Sequence, residues 1–277
     1  MFFIKKKFRD YFCRLISKVN LSFLLNSKSR IQLRVLIIHS INEEEKLLNL
    51  LKNLNKKWRF ITPDQFFQIL DNKKTINQSS LLITFDDGFK DNLNILPILD
   101  KFSISALFFV CPGLVQLQNS NTLFPLLAKK LFRIPLIDKD IELLNWDDLR
   151  YIQDRGHSIG NHSLLHYQVN KLSIKELKED INLSKSLLEE NLKKSKSLES
   201  FSYPFGGAEH INAVSLQLLA ENFKYVFSGI RGNNNINKAN IIYRDEVSIN
   251  DDIEITNSFL KGSFDLYYRF KLIKLIF

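Results

Sequence analysis

The sequence predicts an α/β fold built around a parallel sheet. Short apolar runs, read as buried strands, alternate with segments whose apolar residues recur at helical spacing. The strands are predicted at residues 34–39, 81–85, 106–110, 201–203 and 225–228. Between the first two runs, residues 42–55 carry leucines at helical spacing. With 277 residues, 45% of them hydrophobic, the chain is long and apolar enough for one large domain.

Capping signals mark where several helices begin and end. Thr62 is followed by a proline and, three residues on, by a glutamine, which is typical of a capping box with proline at the first helical position. Ser173 begins a second such box, and Asn145 caps a helix that Gly156 stops. Pro97 marks the start of a helix over 93–102, or a kink in it.

No linker, repeat or low-complexity block divides the chain. We therefore predict one domain over residues 31–260, preceded by a basic, aromatic extension (1–30) and followed by a basic segment (261–277). The asparagine-rich stretch 233–240 is interpreted as a surface loop.

The positive charge is concentrated at the two ends. Of the net +9, residues 1–30 hold eight basic against one acidic residue (+7), and residues 261–277 hold four against one (+3), which leaves −1 on the body. A nucleic-acid groove needs its basic residues on the folded body, so this class of function is excluded. Apolar side chains lie between the terminal charges. The ends can therefore be helices packed on the domain or segments that make peripheral contact with an anionic membrane.

Targeting signals are not evident in the sequence. No run of 18 apolar residues predicts a transmembrane helix, and charged residues interrupt each apolar stretch near the start that could serve a signal peptide. Two cysteines, Cys13 and Cys111, give no disulfide framework. We expect a cytoplasmic location, at the inner membrane face if the ends bind lipid, and leave export open.

The first motif with chemical potential is Asp86-Asp87-Gly88, directly after the predicted strand 81–85. Side chains at the carboxyl end of a parallel strand face the functional edge of such a sheet. Two adjacent carboxylates there can divide their roles, one binding a metal and the other accepting a proton from water. A plain turn is the alternative interpretation, since Asp-Gly is a turn signal.

The second motif is the pair His162 and His166. Two histidines four residues apart lie on one face of a helical turn and can chelate one ion. Only five histidines occur in the chain, and three fall within ten residues. Asp87 would complete a two-histidine, one-carboxylate site with an open position. His157, one turn earlier, is interpreted as structural.

The third motif is Tyr203-Pro204-Phe205-Gly206-Gly207, after another predicted strand. Proline and glycine form a tight loop that can turn a backbone N–H toward a developing oxyanion, and an aromatic ring can stack on a sugar. Alone, this motif is equally consistent with an ordinary turn.

Together, in this order, the three motifs resemble the polysaccharide deacetylase family, also called the NodB-homology or carbohydrate esterase family 4 group. The resemblance extends from about residue 34 to 264 and includes the opening segment 36–41. It implies a distorted, incomplete (β/α) barrel and hydrolysis of a carbon–nitrogen bond, typically an N-acetyl group on an amino sugar. It implies that Asp86 is the general base and that the backbone N–H of Phe205 stabilises the oxyanion. The implied ligands of one divalent ion, zinc in the first place, are Asp87, His162 and His166.

Two departures from the family pattern stand out. Ser202 occupies the place where the family often has an arginine that orients the base, and Arg244 or Arg231 can replace it. The family often carries its general acid on a late histidine, but no histidine follows His210 here, which leaves His210 as a weak candidate.

The leading hypothesis is a metal-dependent hydrolase that removes an N-acyl group from an amino sugar of a polysaccharide or lipid-linked glycan. Its expected substrate contacts are Tyr203, Pro204 and Phe205. The alternatives are a catalytically degenerate, glycan-binding member of the same fold and a structural membrane-surface protein.

Overall fold

The parallel α/β architecture is confirmed by a computed structural model, which describes residues 31–118, 124–132, 141–236, 241–268 and 270. Its strands are β1 (Leu33–Ile38), β2 (Arg59–Phe60), β3 (Ser80–Phe85), β4 (Leu107–Val110), β5 (Ser158–Asn161), β6 (Ser200–Ser202), β7 (Tyr225–Phe227) and β8 (Asp245–Glu246). Its α-helices are α1 (Glu44–Leu54), α2 (Pro63–Leu70), α3 (Leu96–Lys101), α4 (Pro112–Leu117), α5 (Phe124–Leu131), α6 (Trp146–Asp154), α7 (Ile174–Asn191), α8 (Ala213–Asn222) and α9 (Ile253–Leu260).

The strands form one curved sheet in which every described pair is parallel. The order is β7-β6-β5-β4-β3-β1-β8, and β2 pairs with β3 beside this path. Ile242 bridges Phe227 at one outer strand, and three residues later Asp245 pairs with Leu36 of β1. Residues 242–245 thus contact both β7 and β1, so the sheet curls into the distorted (β/α) barrel that the family resemblance implied.

The predicted elements occur because their local signals agree with the packing. Strands β1, β3 and β4 are buried along their whole length. Capping boxes form at Thr62 and Ser173, as predicted. Asn145 caps α6, as predicted, and does so through a capping box with Asp148, and Gly156 ends that helix with a φ of +83°.

Strand β5 was not predicted, because its sequence Ser-Ile-Gly-Asn is short and half polar. It nevertheless lies in the middle of the sheet between β4 and β6. Gly160 explains how it fits: a Cβ there would lie 2.6 Å from a ring carbon of Phe109 and 2.6 Å from the hydroxyl of Ser200. Close packing against its neighbours, rather than local propensity, selects this strand.

The prediction of a surface loop over residues 233–240 is wrong for its first two residues. Asn233 and Asn234 are buried. The amide oxygen of Asn233 accepts a hydrogen bond from the backbone N–H of Leu33, and Asn234 binds the backbone of Tyr243 on both sides of its amide. These asparagines supply hydrogen bonds to strand ends that would otherwise be unpaired. Residues 237–240 lie outside the described residues.

The predictions for the chain ends are covered only in part. Residues 1–30, Arg269 and residues 271–277 lie outside the described residues, so the predicted basic extension is not described. Among the described helices, none is long and apolar enough to span a bilayer.

A buried arginine at the start of β1 holds the segment that follows α9. Arg34 is fully buried and donates to Asp265 at 2.9 and 2.6 Å and to Asp245 at 3.4 Å. Burial raises the pKa of Asp245 to about 6, although Arg34 and Arg231 lie beside it. Residues 262–265 are thereby fixed to the amino end of β1.

We predict that Arg34→Ala lowers the free energy of unfolding by about 3 kcal/mol, because it leaves a buried carboxylate without its partner. Denaturant unfolding at neutral pH measures this change. Arg59→Ala is the matched control, since Arg59 is exposed at the start of β2, and a change within about 0.5 kcal/mol is expected there. Equal effects of the two substitutions would contradict the role given to Arg34.

Candidate active site

The residues singled out in the sequence converge at the carboxyl edge of the strands. Asp86 and Asp87 follow β3, His162 follows β5, and the Tyr203 loop follows β6. Because these strands are parallel, their carboxyl ends lie at one rim of the barrel.

Three side chains form a group that could hold a metal ion. Candidate ligand atoms of Asp87, His162 and His166 lie within 4.8 Å of one another, and all three residues are buried. The Oδ1 atom of Asp87 lies 3.3 Å from Nε2 of His162 and 3.2 Å from Nε2 of His166. The predicted ligand set is therefore brought together in space.

The histidine pair does not lie on a helical turn, contrary to the expectation from its spacing. His162 and His166 belong to the irregular connection between β5 and α7, where Ser163 and His166 have φ values of +67° and +58°. These left-handed residues, rather than helical periodicity, bring the two rings to a centroid separation of 5.1 Å.

Asp180, on the buried face of α7, holds this loop in place. One of its carboxylate oxygens accepts from the backbone N–H of Leu164 at 2.9 Å and from the hydroxyl of Ser163 at 3.0 Å. That hydroxyl in turn accepts from the N–H of Tyr167. Burial raises the pKa of Asp180 to about 6. The loop carrying His166 is therefore fixed from its outer side.

Hydrogen bonds fix which ring nitrogen of each histidine faces Asp87. Nδ1 of His162 lies 2.8 Å from the carbonyl oxygen of Ser202, and Nδ1 of His166 lies 3.3 Å from that of Leu131. A carbonyl only accepts, so each Nδ1 carries a proton, and in the neutral ring Nε2 presents a lone pair. In this neutral form neither Nε2 donates to Asp87, whose buried Oδ1 has no hydrogen-bond donor among the described residues. Two lone pairs and one orphaned carboxylate oxygen, all converging, fit a divalent cation.

Asp86 is held by a different set of contacts. Arg244 donates to its two oxygens at 2.8 Å each, a bidentate ion pair that is almost completely buried. The same guanidinium binds the hydroxyl of Ser202 at 2.5 Å and the carbonyl of Ser228 at 2.8 Å. Arg244 therefore replaces the arginine missing at position 202. Arg231 does not, since it binds Asp245 and the carbonyl of Glu246.

Both carboxyl groups are ionised at neutral pH. Burial raises the pKa of Asp86, but the charges of Arg244 and of a protonated His162 outweigh burial and lower it below its usual range. Burial likewise raises the pKa of Asp87, and hydrogen bonds from His162 and His166 in their protonated form hold it well below that range. When both histidines are neutral, the two carboxylates and the guanidinium of Arg244 leave a net negative centre that favours a cation.

The third motif lies beside the candidate metal-binding group of Asp87, His162 and His166. Phe205, with a φ of +62°, packs its ring 4.7 Å from that of His166, and Phe132 covers the same imidazole at 4.6 Å. Tyr203 is buried, and its hydroxyl lies 3.2 Å from that of Ser215; Pro204 is buried as well. The Tyr203 ring is thus not available to a sugar in this structure, which leaves the half-buried Phe205 as the aromatic side chain of this motif that solvent reaches.

His39 is a site residue to which the sequence assigned no role. It follows β1 directly and is half-buried, and its charge lowers the pKa of both Asp86 and Asp87. Its signal was available, because a histidine directly after a buried strand lies at the same rim as the other motifs. His157 is structural, as expected: it is buried and its Nδ1 accepts from the N–H of Ala106.

Comparison with protein families agrees with this geometry. The model of the family described as polysaccharide deacetylase matches residues 73–224, more than half of the chain and most of the site. The chain belongs to the polysaccharide deacetylase family. A relative in Bacillus subtilis (strain 168), YxkH, is named provisionally for the same family and is 23% identical over 184 residues, which cover 63% of this chain and 57% of that protein.

Solved structures show the same fold. Streptococcus pyogenes deacetylase PplD, in complex with acetate, superposes with a TM-score of 0.67 at 18% identity, covering 84% of this chain and 99% of that one. IcaB from Ammonifex degensii gives 0.64 at 21%, covering 84% and 98%. A de-N-acetylase from Aggregatibacter actinomycetemcomitans gives 0.65 at 18%, covering 82% and 99%. At these identities the likeness establishes that the polysaccharide deacetylase barrel extends beyond the matched residues.

Proposed function

We propose that this chain is a metal-dependent N-deacetylase that hydrolyses the N-acetyl group of an amino sugar within a glycan. One observation carries the proposal above all others. Asp86 is buried and ionised and forms an ion pair with Arg244, yet it lies beside the Asp87–His162–His166 group rather than within it. A protein that only bound metal or glycan would have no use for this second oriented carboxylate.

The donor atoms of Asp87, His162 and His166 indicate which metal ion the group would bind. Two imidazole nitrogens and one carboxylate oxygen are three protein ligands, the number typical of a catalytic zinc, whose fourth position takes water or substrate. Asp87, His162 and His166 would hold it. When bound, the ion supplies Lewis-acid polarisation of the amide carbonyl and acidifies water beside it.

The chain's own groups account for the proton movements. Asp86 accepts the proton of the attacking water, and Arg244 keeps its carboxylate ionised and correctly oriented. The backbone N–H of Phe205, in the loop after β6 where Phe205 has a positive φ, donates a hydrogen bond to the developing oxyanion. The carbon–nitrogen bond of the amide then breaks, and the products are a free amine on the sugar and acetate.

The leaving amine needs a proton, and we assign this role to His39. In the sheet, β1 lies on one side of the β3–β4 pair and β5 lies on the other. His39, which follows β1, therefore lies on the opposite side of Asp86 and Asp87 from the loop that carries His162. His210 is the other histidine near the site, but its Nδ1 is engaged by the carbonyl of Phe205 at 3.1 Å.

A second candidate function has one observation in its favour. No histidine follows His210 in the sequence, so the late general acid that is frequent in the family is absent. A glycan-binding protein that has lost catalysis would be consistent with this loss.

We predict that Asp86→Asn lowers kcat for acetate release by about 10²–10⁴-fold, because the amide cannot accept the proton. Bound zinc should remain at the wild-type level, since Asp86 is not in the ligand group. Acetate release from a panel of N-acetylated oligosaccharides, with elemental analysis of the same samples, measures both. Asp91→Asn is the control, because within the described part of the chain the Asp91 side chain binds Ser40, Ile41 and Asn92 and none of the site residues. Glycan binding without turnover by the zinc-loaded wild type would instead establish the non-catalytic function.

For the proton donor, we predict that His39→Gln lowers kcat by about 10²-fold or more with little change in KM, and that His210→Gln has a much smaller effect. An anilide substrate, whose leaving amine is weakly basic, should restore most of the lost rate in His39→Gln. The reverse order of the two variants, or no rescue by the anilide, would remove His39 from this role.

A further inference from the structure

The two edges of the barrel carry opposite charges. The helix-to-strand connections, with residues 261–265 after α9, form the amino edge and hold ten basic against three acidic residues, a net +7. The described strand-to-helix connections, at the edge of the active site, hold seven acidic against two basic residues, a net −5. The basic residues of the amino edge are Lys56, Lys57, Lys73, Lys74, Arg155, Lys193, Lys194, Lys196, Lys224 and Lys261.

Much of this positive charge is not neutralised locally. All of these side chains except Lys196 are exposed. Asp71, Asp100 and Asp154 pair with several of them. The remaining five form no ion pair within the described part of the chain. They are Lys56, Lys57, Lys74, Lys194 and Lys261.

Both ends of the described chain meet this amino edge. Arg34, at the start of β1, binds Asp265 directly, and the carbonyl of Ile31 accepts from the side chain of Asn235. Residues 1–30, which carry +7, join the domain at this point, and residues 266–277 add three basic residues and no acidic one. The described part of the chain therefore begins and ends at the basic edge.

Large apolar side chains are exposed at the same place. Leu266, Tyr267 and Phe270, directly after Asp265, are 42%, 55% and 58% exposed. Lysines beside exposed aromatic and aliphatic side chains are typical of a surface that lies on an anionic bilayer, where the charges meet head groups and the apolar groups enter the interface.

We propose that the amino edge of the barrel, with the Leu266–Phe270 cluster, binds the surface of an anionic lipid bilayer. The lysines come from separate loops that together form a broad face rather than a groove, which suits a planar partner better than a duplex. The apolar cluster can insert into the interface of a bilayer, whereas it has no favourable contact to make with the phosphate backbone of a nucleic acid.

This orientation limits the substrate, a consequence that rests on the proposed deacetylase function. The active site opens at the opposite edge, and the six residues of β1 alone separate the two edges by about 20 Å. The glycan must therefore reach the site from the side away from the bilayer. A polymer or a long lipid-linked chain meets this condition, whereas an amino sugar attached directly to the lipid does not.

Sedimentation of the full chain with phosphatidylcholine vesicles, with and without phosphatidylglycerol, tests the proposal. We expect binding only when the anionic lipid is present, weakened at least about tenfold in Lys57→Glu/Lys73→Glu/Lys74→Glu. The matched control is Lys171→Glu/Lys175→Glu/Lys178→Glu, which makes the same charge change on exposed lysines nearer the other edge; it should bind within about twofold of wild type. Tyr267→Ser/Phe270→Ser should also weaken binding, whereas Ile174→Ser/Leu183→Ser, equally exposed elsewhere, should not.

Three results would overturn the proposal: equal binding to neutral and anionic vesicles, equal effects of the two triple variants, or loss of double-stranded DNA binding in the first triple variant with vesicle binding unchanged. Acetate release from a soluble oligosaccharide without vesicles is measured in parallel. It should be unaffected in both triple variants, which shows that they are folded and separates a failure of the membrane proposal from a failure of the deacetylase proposal.

Discussion

The site depends on how two adjacent buried carboxylates are neutralised. Asp86 and Asp87 follow one strand and are both ionised at a closed rim, where an uncompensated charge is very costly. Arg244 satisfies both oxygens of Asp86, and the inner oxygen of Asp87 is left facing two imidazole lone pairs. In the proposed mechanism, this division makes Asp86 the general base and Asp87 a metal ligand.

The ion pair between Arg244 and Asp86 also links the closure of the barrel to the geometry of the site. Arg244 lies 158 residues from Asp86 along the chain and enters the interior only because residues 242–246 contact both β7 and β1. His162 is oriented by a carbonyl of β6, His166 by a carbonyl of α5, and their loop by Asp180 of α7. Support from so many elements keeps the ligand group rigid, as a preorganised metal site requires.

The sequence was most informative where local chemistry and packing agree. Buried strands, helix caps at Thr62, Asn145 and Ser173, and the convergence of Asp87, His162 and His166 could be predicted from it. The sequence named Arg244 and Arg231 as alternatives for the missing arginine, and the contact with Asp86 selects Arg244. It failed where tertiary contacts decide. Strand β5 forms because Gly160 fits between its neighbours, and the histidines meet through left-handed backbone rather than helical spacing. Burial of Tyr203, which removes its ring from the rim, depends on packing against α8 and on how the strands curl together. No local pattern reports this.

The proposed function depends on the binding of one divalent ion by Asp87, His162 and His166. It is tested by calorimetric titration of zinc into metal-free protein, with His162→Ala and His210→Ala measured beside the wild type. We expect one ion per chain in the wild type and in His210→Ala, and loss of this binding in His162→Ala, because two remaining ligands are too few to hold the ion. Absence of zinc binding in the wild type, or equal binding in His162→Ala, would show that these residues do not form a metal site.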